Sequence, residues 1–87
     1  MEEVDPQVCY TYILECADGT FYTGWTTDLS RRLEEHNQGD GARYTRSRLP
    51  VQLHYREQHP DRSTAMQREY EIKQLSHREK ARLMKEV

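Results

Sequence analysis

The chain has little with which to build a large core, cross a membrane or staple itself shut. Hydrophobic residues make up 34% of its 87 residues, mean hydropathy is −1.11, and no apolar run is long enough to span a bilayer. That composition fits one domain over residues 1–87, with a thin core at about residues 8–84 under a charged surface, and excludes a large ligand cavity. The start is acidic, with Glu2, Glu3 and Asp5, and lacks the basic and apolar regions of a secretory signal, so a cytoplasmic location and no membrane partner are expected. Cysteine is nearly absent. Cys9 and Cys16 fall on one extended segment, where about 3.3 Å per residue sets them roughly 23 Å apart on opposite faces. They can neither bridge nor share a zinc ion, and they read as small half-buried residues in a reducing compartment. His54, His59 and His77 show no metal-like spacing with one another or with cysteine. No repeat, low-complexity tract or interdomain linker interrupts the chain.

The net charge of −2 hides an asymmetry. Residues 1–40 carry two basic and nine acidic side chains, −7, whereas residues 41–87 carry eleven and six, +5. Between residues 41 and 56 there are Arg43, Arg46, Arg48 and Arg56, with Tyr44 and Tyr55 among them and no acid. Such a stretch suits a polyanion, and Arg43, Arg46 and Arg48 become candidate phosphate contacts. A solvated surface loop is the competing reading.

Residues 8–16 alternate and are rich in Tyr, Ile and Thr, which predicts a strand, and residues 20–25 predict a second. Ala17-Asp18-Gly19 joins them as a hairpin. A three-residue loop with Gly19 left-handed would set Leu14 opposite Tyr22 and Tyr12 opposite Gly24, so both tyrosines share a face. A two-residue loop would part them. Thr26-Thr27-Asp28 supplies caps for a helix that Gly39 ends, with Leu29, Arg32, Leu33 and His36 on one face and Arg31, Glu34 and Glu35 on the other. A basic loop at residues 40–50 leads to a third strand at residues 51–57, with Val51, Leu53 and Tyr55 on one face. A second helix is expected from about residues 61–63 to 75, with Glu69 among apolar neighbours Ala65, Met66 and Ile72. Ser76-His77-Arg78-Glu79 forms a capping box for a third helix running toward Val87.

Taken together, Tyr12, Tyr22, Gly24, Arg32, His36 and Glu69 cover the needs of phosphodiester hydrolysis. Glu69 can hold one Mg²⁺ with waters filling most of the octahedron, and Mn²⁺ can take its place. Arg32 can grip phosphate oxygens in a fork that lysine lacks. Tyr12 is the candidate base in a site open to solvent. Tyr22 orients it or the attacking water, Gly24 permits close approach, and His36 either hydrogen-bonds a tyrosine or takes the proton itself.

These residues and their spacing resemble the GIY-YIG nuclease superfamily, particularly its small single-domain bacterial branch, over almost the whole chain. The resemblance matches Tyr10-Thr11-Tyr12 to the first signature triplet and Tyr22-Thr23-Gly24 to the second. It implies Arg32 as the catalytic arginine, His36 as the frequent histidine and Glu69 as the metal-binding glutamate. The segments Gly41-Ala42-Arg43-Tyr44-Thr45 and Ile72-Lys73-Gln74-Leu75-Ser76 look like those of the small branch. The implied fold is α+β, a three-stranded antiparallel sheet flanked by helices in β-β-α-β-α-α order. The first triplet departs from the superfamily name by carrying tyrosine and threonine in place of glycine and isoleucine. The expectation is a Mg²⁺-dependent endonuclease acting on branched, damaged or single-stranded DNA, with DNA favoured over RNA and specificity weak or supplied by a protein partner. A nucleic-acid-binding or adaptor module with little catalysis is the alternative.

Overall fold

The computed structural model describes residues 8–85; the acidic residues 2, 3 and 5 and the expected helix end at Val87 lie outside them. Among the described residues the elements are β1 (Cys9–Glu15), β2 (Phe21–Thr26), α1 (Leu29–Asn37), α2 (Arg43–Arg46), β3 (Gln52–His59), α3 (Arg62–Lys73) and α4 (His77–Lys85). The strands form one antiparallel sheet in the order β2-β1-β3, flanked by helices as expected for an α+β fold. The order gains one element: the segment read as a wholly irregular basic loop contains the one-turn helix α2.

The hairpin sets the register on which the site depends. Gly19 takes φ +84°, and its N–H donates to the Cys16 carbonyl (2.9 Å) while Cys16 N–H donates to Thr20 O (2.8 Å). This is the three-residue loop with a left-handed glycine. Tyr12 accordingly pairs with Gly24, and Leu14 with Tyr22. Alternation along β1 then builds two cores. Tyr12, Leu14 and Cys16 join Val51 and meet Leu29 and Leu33 of α1, whereas Ile13 joins Tyr55 and Ile72 and meets Leu75, Leu83 and Met84. Cys9 and Cys16 are buried, free and on opposite faces.

One strand departs from simple alternation. Ile13 pairs with Tyr55 but Leu14 pairs with Leu53, so β3 carries an extra residue at His54. A bulge of this kind reverses which residues face which side. Val51 and Tyr55 are therefore in different cores, and Leu53 is 36% exposed, which corrects the expectation that all three share a face.

Caps define the helices. Asp28 accepts from Arg31 N–H at the start of α1, and Gly39, at φ +86°, closes its end with Gly39 N–H to His36 O (3.0 Å) and Asp40 N–H to Glu35 O (2.9 Å). Asp61 accepts from Thr64 N–H to begin α3. Ser76 and Glu79 satisfy each other's backbone N–H groups to begin α4.

Three contacts lock α3 onto the sheet. The Thr11 hydroxyl donates to the buried Ala65 carbonyl (2.8 Å), Ile72 fills the second core, and Arg68 grips Glu57 of β3 with Nε to Oε1 at 2.8 Å and Nη2 to Oε2 at 2.9 Å. The Tyr55 hydroxyl also donates to Glu57. Glu69 shares a side of the helix with Ala65 and Ile72. Met66 is 49% exposed and drops out of that apolar set. None of the described helices is long and apolar enough to cross a membrane.

Candidate active site

The site is built around a buried hydrogen-bond chain. Tyr12 Oη lies 3.0 Å from His36 Nε2, and His36 Nδ1 lies 2.9 Å from Thr45 Oγ1. The three side chains come from β1, α1 and α2. Tyr12 is 2% exposed, and His36 and Thr45 are fully buried. This corrects the picture of a tyrosine in a solvent-open site. Two glycines make the closeness feasible. A Cβ on Gly24 would fall 2.6 Å from Tyr12 Oη and 2.7 Å from its Cζ, and one on Gly41 would fall 2.3 Å from His36 Nδ1 and 2.8 Å from His36 Cα. Thr45, and Gly41 as the residue that gives His36 its space, were missed by reasoning from chemistry; their only sequence signal was the resemblance of residues 41–45 to the small branch.

The proton assignment follows from counting donors. The Thr45 hydroxyl has one hydrogen, and it donates it to the Ala42 carbonyl at 3.0 Å. Thr45 Oγ1 therefore accepts from His36 Nδ1–H, which leaves Nε2 as the acceptor for the Tyr12 hydroxyl. The Ala42 N–H, 3.5 Å from Nδ1, is the weaker contact and yields to this pattern. Electrostatics agree. Burial, reinforced by the Arg32 charge and opposed by Glu35, holds His36 down to about 4, so the imidazole is neutral at pH 7. Burial, with the nearby Tyr22 and Glu69, pushes Tyr12 up to about 12 against the pull of Arg32. The resting pair is a neutral phenol donating to a neutral imidazole.

The remaining candidates surround this pair. Tyr22 packs edge-on to His36 with ring centroids 5.4 Å apart and stacks on Tyr44 at 6.1 Å. Arg32 lies beside the Tyr12 oxygen and donates to Glu35 Oε1 at 3.0 Å. Glu35 thus belongs to the Arg32 side of α1, not to the opposite face expected for it. Its second oxygen accepts from Arg31 at 3.2 Å. Glu69 is close enough to raise the Tyr12 pKa, and its Oε2 pairs with Lys73 Nζ at 3.1 Å. The Lys73 ammonium also lies 5.8 Å from the Tyr22 ring centroid. Lys73 is a site neighbour that helical spacing alone could have suggested, four residues after Glu69.

Glu69 offers a single hard carboxylate, and among the described residues no group of three or more His, Cys, Asp or Glu is arranged to hold a metal. That donor set fits Mg²⁺, which keeps most of its waters and binds through one or two carboxylates. It does not fit a structural zinc site. The other histidines have local partners instead: His54 meets Glu15 at 2.9 Å, His59 meets Glu57 at 3.2 Å, and His77 stacks on Phe21 at 4.2 Å.

The basic segment divides. Arg48 is a strut, since its Nε binds Asp18 at the hairpin tip (3.1 Å), its Nη1 donates to Tyr44 O (2.7 Å), and its guanidinium covers the Tyr44 ring at 3.9 Å. Its guanidinium is therefore already engaged within the chain, unlike those of the other two arginines proposed as phosphate contacts. Arg43 and Arg46 are exposed and make no side-chain ion pair or hydrogen bond among the described residues.

A tyrosine pair held against glycine, a buried histidine and an arginine on the sheet's first helix, and a glutamate from a later helix define a GIY-YIG domain. The model of the GIY-YIG catalytic domain matches residues 8–82, and the chain belongs to that family of nucleases. Within it the chain is similar to a UPF0213 protein of Halobacterium salinarum, 57% identical over 85% of this chain and 96% of that one, and to one of Bacillus cereus, 52% identical over 84% and 76%. It is also similar to the solution structure of the UPF0213 protein from Bacillus halodurans, with 49% identity, TM-score 0.58, and coverage of 90% of this chain and 83% of that one. The solution structure of an E. faecalis protein gives TM-score 0.62 at 41% identity, covering 98% and 88%.

Proposed function

We propose that this protein is a metal-dependent endonuclease that hydrolyses phosphodiester bonds in DNA, with Tyr12, Tyr22, Arg32, His36 and Glu69 as its working groups. The observation that carries the reading is the Tyr12–His36 hydrogen bond (3.0 Å) beside the Arg32 guanidinium. Both His36 ring nitrogens are engaged within the chain, by Tyr12 and by Thr45, which supports Tyr12 as the group that meets the attacking water. Tyr12 takes the water's proton as it passes its own to His36 Nε2, so the phenol acts as a base without first becoming a free phenolate. Thr45 holds the imidazole in the accepting tautomer. Arg32 receives the non-bridging phosphate oxygens in a bidentate grip and neutralises charge as the phosphorane forms. Mg²⁺ on Glu69, when bound, supplies further charge neutralisation and stabilises the departing oxygen. Lys73 holds Glu69 Oε2, so its ammonium competes with a metal for the charge of that carboxylate.

The test is incubation of purified protein with single-stranded, duplex and branched DNA and with RNA, with and without Mg²⁺ or Mn²⁺. Metal-dependent cleavage that is lost in Glu69→Gln, and reduced more than about a hundredfold in Arg32→Ala, supports the enzyme. Arg32→Lys keeps the charge but not the fork and recovers little. Binding without cleavage across the whole panel selects the adaptor reading instead.

A further inference from the structure

A groove of about 430 Å³ lies where the end of β2 turns into α1, with Arg32 as the site residue on its wall. Trp25, Asp28, Arg31, Arg32, Glu35 and Arg62 contribute to its lining. Arg32 lines this groove and also lies beside the Tyr12 oxygen, so one guanidinium borders both. At the small end of ligand pockets, about 300–1,000 Å³, the volume holds one nucleotide and not a duplex.

The lining suits such a ligand. Trp25 offers a half-buried aromatic face, and the Arg62 guanidinium lies over it at 6.0 Å from the ring centroid. One planar base between them needs about 7 Å, two van der Waals spacings of about 3.5 Å each, so a shift of roughly 1 Å by a long side chain admits it. The two carboxylates are already engaged. Asp28 caps α1 through Arg31 N–H, and Glu35 accepts from both Arg31 and Arg32. Arg32 is the guanidinium that faces this groove and also lies beside Tyr12, and it can meet one phosphate.

We propose that this groove is a nucleotide subsite in which an unpaired base stacks on Trp25 beneath Arg62 while its phosphate reaches Arg32. It rests on the nuclease reading above and deepens it. A base can occupy this space only after leaving its neighbours in the helix, so the scissile phosphate is presented next to an unstacked nucleotide. Substrates with single-stranded or distorted stretches are cleaved in preference to regular duplex.

Trp25 is the one tryptophan of the chain, so its emission reports the stack directly. Full-length protein is titrated in EDTA with three fluorescein-labelled ligands, a strand of about 12 thymidines, a strand of equal length with abasic residues, and a duplex, lengths within the usual range of single-strand sites. Anisotropy reads binding, and intrinsic emission reads stacking. The thymidine strand is expected to quench Trp25 and to bind about five- to hundredfold tighter than the abasic strand. Trp25→Leu should abolish that advantage and leave abasic binding unchanged, whereas Trp25→Phe, which keeps an aromatic face and the strand, should retain most of it. Equal binding of thymidine and abasic strands without quenching overturns the Trp25 subsite and leaves the nuclease reading intact. Failure of all three ligands to bind in EDTA also overturns the subsite, while the nuclease reading is decided separately by the metal-dependent cleavage panel.

Discussion

Protonating His36 should unfasten the fold where α1 and α2 meet β1. The imidazole is sealed against α2 and β1, its Nε2 accepts from Tyr12, and burial with the Arg32 charge holds its pKa down to about 4. In the unfolded chain the same group titrates at 6.5. Between these values the unfolded chain binds the extra proton, so stability contributed by the neutral imidazole is complete above pH 6.5 and is lost as pH falls toward 4. The loss amounts to about 2 kcal/mol at pH 5 and to roughly 3 kcal/mol below pH 4. For a domain of this length about 2 kcal/mol lowers Tm by roughly 8–16 °C. Carboxylates held low by their partners, such as Glu57 against Arg68, add their own loss at lower pH, so the His36 contribution is isolated by difference. Urea unfolding of wild type and His36→Gln, followed by Trp25 emission between about pH 7.5 and pH 5, measures it. The variant is less stable at the higher pH, and its gap to wild type should narrow by about 2 kcal/mol at the lower one. A gap that stays constant would mean that His36 titrates normally, and the sealed Tyr12–His36–Thr45 chain would be wrong.

Other perturbations probe the same geometry. Gly41→Ala places a Cβ 2.8 Å from the His36 backbone, which cannot rotate away, and should cost about 1–3 kcal/mol in urea unfolding. Gly24→Ala presses on the Tyr12 hydroxyl at 2.6 Å and should cost a similar amount and abolish cleavage; normal activity in either variant would show that the close approach is dispensable. Lys73→Gln removes the cation that pairs with Glu69 and should tighten Mn²⁺ binding, read by electron paramagnetic resonance without substrate, by about three- to tenfold. Unchanged or weaker Mn²⁺ binding would remove Lys73 from the site. Arg43→Ala with Arg46→Ala should flatten the salt dependence of DNA affinity by about 1.4 to 1.8 in logarithmic slope without changing Tm. Arg48→Ala should instead lower Tm and leave that slope almost unaltered, because its guanidinium is taken by Asp18 and Tyr44.

The parts of this site that were legible in the sequence are those set by short-range rules. Asp18-Gly19 selects the hairpin loop, the loop selects the Tyr12–Gly24 pairing, and helical spacing places Arg32 and His36 above that pair. Where tertiary packing overrules local pattern, the reading failed. The bulge at His54 has no local signature: Val51 and Leu53 alternate smoothly into Tyr55, and only the choice between two cores sends Tyr55 to the far face. That displacement has a consequence for the site. With Tyr55 on the second face, its hydroxyl reaches Glu57, Glu57 is aligned for Arg68, and Arg68 fixes the rotation of α3 on which Glu69 is carried toward Tyr12. Thr45 illustrates the converse. It lies in a run of exposed arginines that reads as solvated surface, yet it is fully buried because Gly41 and Ala42 turn the chain back over His36. A polar residue in a basic stretch gives no sign of such burial until a buried imidazole nine residues earlier needs an acceptor for its Nδ1 proton, and the Thr45 hydroxyl oxygen supplies it at 2.9 Å.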